Sequence, residues 1–201
     1  MIAIITGDII NSEDHPSSQW IDLLKGYFNQ FGASPMNWEI YRGDEFQLKV
    51  TEKNALFTAI RIKAMLKAVK GLDVRMAIGI GLETYIGTGI TESNGPAYQR
   101  SGRNFESLKE SKVNISIATG VEQKDRTLNL MLKLALDFMD DWSVVSAEIV
   151  TLVLDYPEYS QKEIAQELGI KQSAVSQRLK RARLDLVLDV LSYYEEVITD
   201  K

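Results

Sequence analysis

The stretch SQKEIAQELGIKQSAVSQRLKRAR, residues 160–183, is the most informative segment of the sequence. Ser160 and Glu163 have the S-x-x-E spacing of a capping box, which predicts the start of a short helix. Gly169 ends that helix, and Ile170 begins a turn into a second one. The inward-facing positions are apolar or small: Ile164, Ala165, Leu168, Val175 and Leu179. The pattern predicts a helix-turn-helix.

The second helix of this segment leaves polar side chains pointing away from the predicted contact. Gln, Ser and Lys can reach base edges in a major groove, and Arg can contact phosphate. The residues expected to reach bases are Lys171, Gln172, Ser173, Ser176, Gln177 and Lys180, and those expected to contact phosphate are Arg178, Arg181 and Arg183. The alternative is a helical hairpin used only for packing.

Charge is unevenly distributed along the chain. The 201 residues carry a formal net charge of −5, yet residues 160–183 carry +4. They lie between residues 121–159, with a net charge of −5, and residues 184–201, with −4. A local basic segment is typical of a phosphate-facing surface, although a solvated helix face would have the same charge.

Residues 127–201 are predicted to be helical throughout. Residues 144–183 resemble the DNA-binding end of bacterial sigma factors and related regulators. After Arg183 we expect the helix to continue, with an apolar stripe at Leu186, Val190, Tyr193 or Tyr194, and Val197. The stripe needs a partner, either residues 128–138 of the same chain or a second copy, and we expect a homodimer.

Residues 1–122 show a different pattern. Short apolar strands alternate with helical segments in the order βαββαβ, followed by a further αβ unit. This order predicts an α+β, ferredoxin-like domain, and the chain as a whole is then an N-terminal sheet domain (1–122) followed by a helical domain (127–201).

Two aspartates stand at the strand ends of this predicted sheet. Asp8 ends the first strand, and Asp44 lies at the tip of the hairpin expected beside it. Adjacent carboxylates suit Mg²⁺ or Mn²⁺ carrying a nucleotide phosphate. The plainer alternative is that Asp8 caps a turn and Asp44 is a polar hairpin tip.

The segments TGDII and RGDEF, at residues 6–10 and 42–46, resemble the palm of class III nucleotide cyclases and of diguanylate cyclases. This resemblance implies that Asp8 and Asp44 are metal ligands, with the backbone carbonyl of Ile9 as a third. It also places Gln99 and Arg103 where those cyclases carry an Asn and, four residues later, an Arg that steadies the transition state. Arg103 matches that pattern, and Gln99 departs from it.

Four segments in order, TGDIINS, RGDEFQ, RMAIGIG and NGPAYQRSGR, followed by the helix-turn-helix, resemble the SatD family of bacterial proteins over nearly the whole chain. That resemblance implies a cyclase-like domain joined to a DNA-binding domain, as in a regulator. It does not imply an established reaction.

Composition excludes several kinds of site. There is no cysteine and one histidine, so any metal bound within one chain must be held by oxygen. The glycines at 79, 81, 87 and 89 do not form a dinucleotide-binding fingerprint, and they predict close backbone approach instead. The N-terminus has no basic segment and no apolar run reaches about 18 residues, so we expect a cytoplasmic protein without a membrane partner.

These observations predict a transcriptional regulator that binds double-stranded DNA through residues 160–183 and a nucleotide-like ligand with a divalent ion through residues 1–122. One alternative is an active nucleotidyl cyclase, or a related phosphoryl-transfer enzyme, whose helical tail serves dimerisation. Another is a degenerate palm that only supports protein contacts.

Overall fold

The continuous apolar run at residues 2–5 and the alternating pattern at residues 45–50 both belong to strands of one sheet in the computed structural model, which describes residues 1–200. Within these residues the sheet has five strands in the order β2-β3-β1-β4-β5. Their bounds are β1 Ile2–Ile10, β2 Trp38–Tyr41, β3 Glu45–Thr51, β4 Asp73–Gly81 and β5 Ile115–Ala118. The chain is therefore α+β, with a mixed sheet.

Strand β1 occupies the centre of the sheet and pairs antiparallel with β3 on one side and with β4 on the other. Strand β2 pairs antiparallel with β3, as the predicted hairpin requires. Strand β5 runs parallel to β4, because a helix crosses over between them. Asp8 of β1 lies directly opposite Glu45 of β3 and Arg75 of β4.

Helices cover both faces of the sheet. Helices α1 (Ile21–Phe28) and α2 (Ala55–Lys67) pack on the face that carries Ile5 and Phe46. Helix α3 (Pro96–Ser111) packs on the opposite face, against β1, β4 and β5. A Cβ atom on Gly79 would collide there with the backbone of Ala97 and Ser101, which confirms the predicted role of this glycine in close backbone approach.

The chain from residue 122 onward is helical in the part that the structure describes. The helices are α4 Glu122–Met139, α5 Val144–Asp155, α6 Gln161–Glu167, α7 Gln172–Ala182 and α8 Leu184–Thr199. The expectation that the helix continues through Arg183 is wrong, since Arg183 is left-handed with φ 51° and separates α7 from α8. The carbonyl of Ala182 accepts a hydrogen bond from the indole N–H of Trp142 at 2.9 Å, which fixes the end of α7.

The sheet and the C-terminal helices share one hydrophobic core. Buried residues of β1, α2, α5 and α8 belong to a single cluster. Helix α2 packs on the sheet and also on α5, and α5 packs in turn on α7. Helix α8 is also joined to the sheet half by a hydrogen bond: the hydroxyl of Tyr194 donates to the backbone carbonyl of Glu52 at 2.6 Å. Helix α7 is therefore connected to the sheet through the packing of α5 and α2.

No helix in residues 1–200 combines the length and the apolar character needed to cross a bilayer.

Candidate functional sites

The first candidate site surrounds Asp8 on the face of the sheet that α3 partly covers. Side chains alternate along a strand, so Asp8 shares its face with Thr6 and with its cross-strand neighbours Glu45 and Arg75. Lys109 of α3 reaches this group, with its ammonium 3.9 Å from Glu45. We call Asp8, Asp44, Glu45, Arg75 and Lys109 the Asp8 cluster.

The carboxylate of Asp8 is only partly satisfied. Its Oδ2 atom accepts a long hydrogen bond from Arg75 at 3.5 Å, whereas Oδ1 is buried and accepts none. Burial is the main cause that raises the pKa of Asp8 above the usual aspartate value, and the charges of Asp44 and Glu45 add to it. The cations Arg75 and Lys109 oppose the increase. A buried carboxylate oxygen without a hydrogen-bond partner is uncommon in folded proteins, and a bound cation is one group that would satisfy it.

The structure brings Asp44 and Asp8 to the same end of the sheet. The amide N–H of Ile9 donates to the backbone carbonyl of Asp44 at 3.2 Å, which joins the hairpin tip to the end of β1. The carboxylate of Asp44 accepts a hydrogen bond from the hydroxyl of Ser12 at 2.8 Å. The side chain of Ile9 is buried on the opposite face, so only its backbone is available to a ligand.

Asp8 and Asp44 are the residues of this cluster that could hold a Mg²⁺ or Mn²⁺ ion arriving with a phosphate ligand. No group of three or more His, Cys, Asp or Glu side chains that could hold a metal ion occurs within residues 1–200. Mg²⁺ is commonly bound by one or two carboxylates and completed by substrate phosphates and water, so two aspartates are enough. The unpartnered Oδ1 of Asp8 is the observation that favours such a ligand here.

Gln99 and Arg103 are not part of the Asp8 cluster within one copy. The buried residues of α3 that face the sheet are Ala97, Tyr98, Ser101, Phe105 and Leu108. Gln99 and Arg103 are exposed on the other side of the helix, and the amide of Gln99 donates to Asn94 at 3.4 Å. The cation that α3 brings to the cluster is instead that of Lys109.

A polar strip continues from the Asp8 cluster along β3. Phe46, Leu48 and Val50 are buried on one face, while Glu45, Gln47 and Lys49 are half-buried on the other. The Oε1 atom of Gln47 is buried without a hydrogen-bond partner. The alternation in EFQLKV, residues 45–50, was a signal by which sequence analysis could have found these polar residues.

At the far end of this strip three polar groups form a closed network. The ammonium of Lys49 lies 3.2 Å from the carboxylate of Glu83. The hydroxyl of Tyr98 donates to the same carboxylate at 2.5 Å. Burial and this donated hydrogen bond both raise the pKa of Tyr98, so it remains protonated. Lys49 and Glu83 satisfy each other, whereas Asp8 Oδ1 and Gln47 Oε1 have no hydrogen-bond partner.

The second candidate site is the outer side of α7. The capping box starts α6 as predicted, with the Ser160 amide donating to Glu163 at 2.7 Å and the Glu163 amide donating to Ser160 Oγ at 3.4 Å. Gly169 is left-handed with φ 62°, which lets the chain turn between α6 and α7. Val175 is fully buried, because α7 packs on α5 and α6.

The opposite side of α7 is open to solvent. We call its exposed polar residues, together with Lys171 just before the helix, the α7 surface: Lys171, Gln172, Ser173, Ser176, Gln177, Lys180 and Arg181. Across the described residues none of these side chains takes part in a hydrogen bond or an ion pair. Arg178 is half-buried beside them.

Arg183 lies apart from the other predicted phosphate contacts. It is the residue between α7 and α8, and its guanidinium lies over the ring of Phe138 on α4, 5.4 Å from the ring centre. A cation held over an aromatic ring is already stabilised within the chain.

The fold and the two sites define the class of this protein: an α+β chain that combines a carboxylate-bearing sheet with a bundle of short helices. A family model described as the SatD family matches residues 1–197, and the chain belongs to that family. Comparison with curated proteins finds none that matches the sequence.

Proposed function

We propose that this SatD-family chain is a DNA-binding transcriptional regulator whose sheet half binds a nucleotide with Mg²⁺ or Mn²⁺. The observation that carries the DNA-binding part is the α7 surface. It presents basic, amide and hydroxyl side chains on one side of a helix whose other side is buried. None of these side chains forms a hydrogen bond or an ion pair within the described part of the chain. A recognition helix in a major groove needs this arrangement.

The roles of individual residues follow from their chemistry. Gln172, Gln177, Lys171 and Lys180 are long enough to reach base edges, and Ser173 and Ser176 allow close approach to the groove. Arg178 and Arg181 contact the phosphates that flank it. Helix-turn-helix proteins commonly bind two half-sites, so the DNA-binding form is a homodimer.

The ligand-binding part rests on the Asp8 cluster. Strands β4, β1, β3 and β2 are adjacent in that order and each pair of neighbours is antiparallel, which supports a ferredoxin-like, cyclase-like sheet. Asp8 and Asp44, with the carbonyl of Ile9, hold the ion, which neutralises phosphate charge when bound. Gln47 adds an unpaired acceptor beside them.

The position of α3 supports a sensor rather than an enzyme. In one copy Arg103 and Gln99 face away from Asp8, so the residues that the cyclase resemblance implies for transition-state stabilisation are not assembled. We therefore expect no new product after incubation with ATP or GTP and Mn²⁺. Formation of a cyclic nucleotide would establish the enzymatic alternative.

The two sites are coupled through a short chain of packed elements. Helix α2 packs on the sheet and on α5, and α5 supports α7. A ligand that binds one arrangement of these elements better than another shifts the position of α7 and so changes the affinity for DNA.

The DNA-binding proposal is tested by replacing Gln172, Gln177 and Lys180 together with alanine. Binding sequences are first selected from a random duplex library, and affinity is then measured by fluorescence anisotropy at one fixed salt concentration. We expect a loss of at least about 100-fold in specific binding, since each base contact contributes about 1–3 kcal/mol. The matched control replaces Gln19, Lys25 and Gln30, also two exposed glutamines and an exposed lysine. Unchanged binding by the α7 variant would contradict the proposal.

The ligand-binding proposal is tested by thermal unfolding with ATP or GTP and Mn²⁺. Binding to the folded state raises the melting temperature by roughly 5–10 °C at a ligand concentration about 100 times the Kd. We expect this increase in the wild type and in the exposed control Asp22→Asn, and we expect it to be lost in Asp44→Asn and after addition of EDTA. No increase in the wild type would leave only the DNA-binding part of the proposal.

A further inference from the structure

Helices α4 and α8 form an antiparallel pair with an open apolar groove between them. Lys124, near the start of α4, donates to the carbonyls of Val197 and Asp200 at 2.7 Å each. Arg183, just before α8, lies over Phe138 near the end of α4. The groove between the helices has a volume of about 500 Å³.

The sides of this groove are unusually exposed for apolar residues. Leu130 and Leu134 on α4 are 60% and 68% exposed, and Leu186 and Tyr193 on α8 are 42% and 40% exposed. All four line the groove, together with half-buried Met131 and Phe138. A contiguous apolar surface of this kind marks an interaction site.

We infer that this groove is the homodimer interface, in which the α4–α8 pair of a second copy completes a four-helix bundle. The exposed side chains of Leu130 and Leu134 lie along one side of the groove. The same surface therefore supplies both side chains that protrude and a groove that can receive those of a second copy. A two-fold symmetric interface requires this self-complementarity. Two antiparallel helix pairs that bury apolar seams against each other form a bundle.

Charge selects the second copy as the occupant. The outer edge of α4 carries Arg126 and Lys133 together with Asp137, and the outer edge of α8 carries three acids: Asp185, Asp189 and Glu196. The contacts of Lys124 with Val197 and of Arg183 with Phe138 fix the heights of residues along the pair. When α4 of one copy faces α8 of the other, Arg126 lies level with Glu196 and Lys133 lies level with Asp189, and only Asp137 meets a like charge, at Asp185. A small apolar ligand in the groove would form no ion pairs with these flanking charges.

The consequence for DNA rests on the proposed function. Arg183 belongs both to the groove and to the junction that ends α7, so the bundle holds the two α7 surfaces at a fixed separation. That separation sets the distance between half-sites. The interface itself does not depend on DNA binding.

The interface is tested by sedimentation velocity over a range of protein concentrations without DNA. The wild type sediments as a dimer, and Leu134→Glu raises the dimer dissociation constant at least about tenfold, equivalent to about 1.4 kcal/mol. The matched control is Leu188→Glu, because Leu188 is 46% exposed on α8 but does not line the groove. Circular dichroism checks that each variant is folded.

Reversing the flanking charges tests whether the molecule that occupies the groove is a second copy of the chain. Arg126→Glu with Lys133→Glu weakens the dimer, and so does Asp189→Lys with Glu196→Lys. The chain that carries all four substitutions regains it, because opposite edges face each other again. A monomeric wild type, or a dimer indifferent to Leu134→Glu, would overturn the inference. A monomer that still binds a selected DNA sequence would overturn the inference and the homodimer of the proposed function, while leaving the assignment of the α7 surface to DNA intact.

Discussion

The guanidinium of Arg61 donates to both carboxylate oxygens of Asp155, at 2.6 Å from Nε and 2.6 Å from Nη2. Arg61 is on α2, which covers the sheet, and Asp155 is the last residue of α5, which supports α7. The guanidinium also lies 5.1 Å from the ring centre of Tyr27. This bidentate pair therefore joins the sheet half to the helical half.

Replacing Asp155 with asparagine should weaken this junction. The Arg61 side chain is nearly buried, so losing its charged partner leaves a cation without compensation, at a cost of about 2 kcal/mol. Urea unfolding measures the loss, and the exposed Asp141→Asn serves as the control. Equal stabilities of the two variants would show that the pair contributes nothing.

Lys63 forms a second buried connection between the sheet and the C-terminal helices. Replacing it should lower the unfolding free energy by more than replacing Asp155. Its ammonium has no exposed surface and lies 2.7 Å from Asp73 and 2.6 Å from Asp140, at the start of β4 and the end of α4. Lys63→Met leaves both carboxylates without this cation, and we expect a loss of about 3 kcal/mol. The same substitution at the exposed Lys70 should change the unfolding free energy by less than about 0.5 kcal/mol. Similar losses at both positions would contradict this prediction.

Gly79→Ala tests the close packing of α3 on the sheet. The new methyl group would collide with the backbone of Ala97 and Ser101, which cannot move as a flexible side chain can, so we expect a loss of about 1–3 kcal/mol. Gly102→Ala is the control on α3 itself, where the methyl group meets open space. It should stabilise the helix by up to about 1 kcal/mol. A stabilising Gly79→Ala, measured by chemical unfolding, would refute this packing.

The capping box of α6 predicts a pH dependence. The hydrogen bonds that Glu163 accepts from the Ser160 hydroxyl and amide lower the pKa of Glu163 below the ordinary glutamate value of 4.5. A lowered folded-state pKa gives a stabilisation that is complete above pH 4.5 and disappears as the pH falls through the lowered value.

The difference in melting temperature between the wild type and Glu163→Ala should accordingly be larger at pH 7 than at pH 3. Calorimetry at both values measures it, with the exposed Glu167→Ala on the same helix as the control. A difference that persists unchanged at low pH would show that the ionised carboxylate is not responsible.

Local patterns account for most of the elements. The alternation around residues 42–45 predicts the hairpin of β2 and β3, and the capping box with Gly169 predicts α6 and its turn into α7, because these signals involve residues close together in the chain. The end of α7 was not predictable in this way. Apolar residues continue at helical spacing past Arg183, and the break depends on Trp142, which is distant in sequence.

Local sequence patterns were enough to predict the order of strands and helices, the resemblance to the SatD family, and the positions of Asp8 and Asp44 at the ends of adjacent elements. The charges that surround Asp8, the direction in which Arg103 faces, and the core shared by the sheet and the helices became apparent only from the packing of the whole chain. The reason is physical: capping and periodicity act over a few residues, whereas burial, ion pairing and the orientation of α3 depend on contacts between distant parts of the chain.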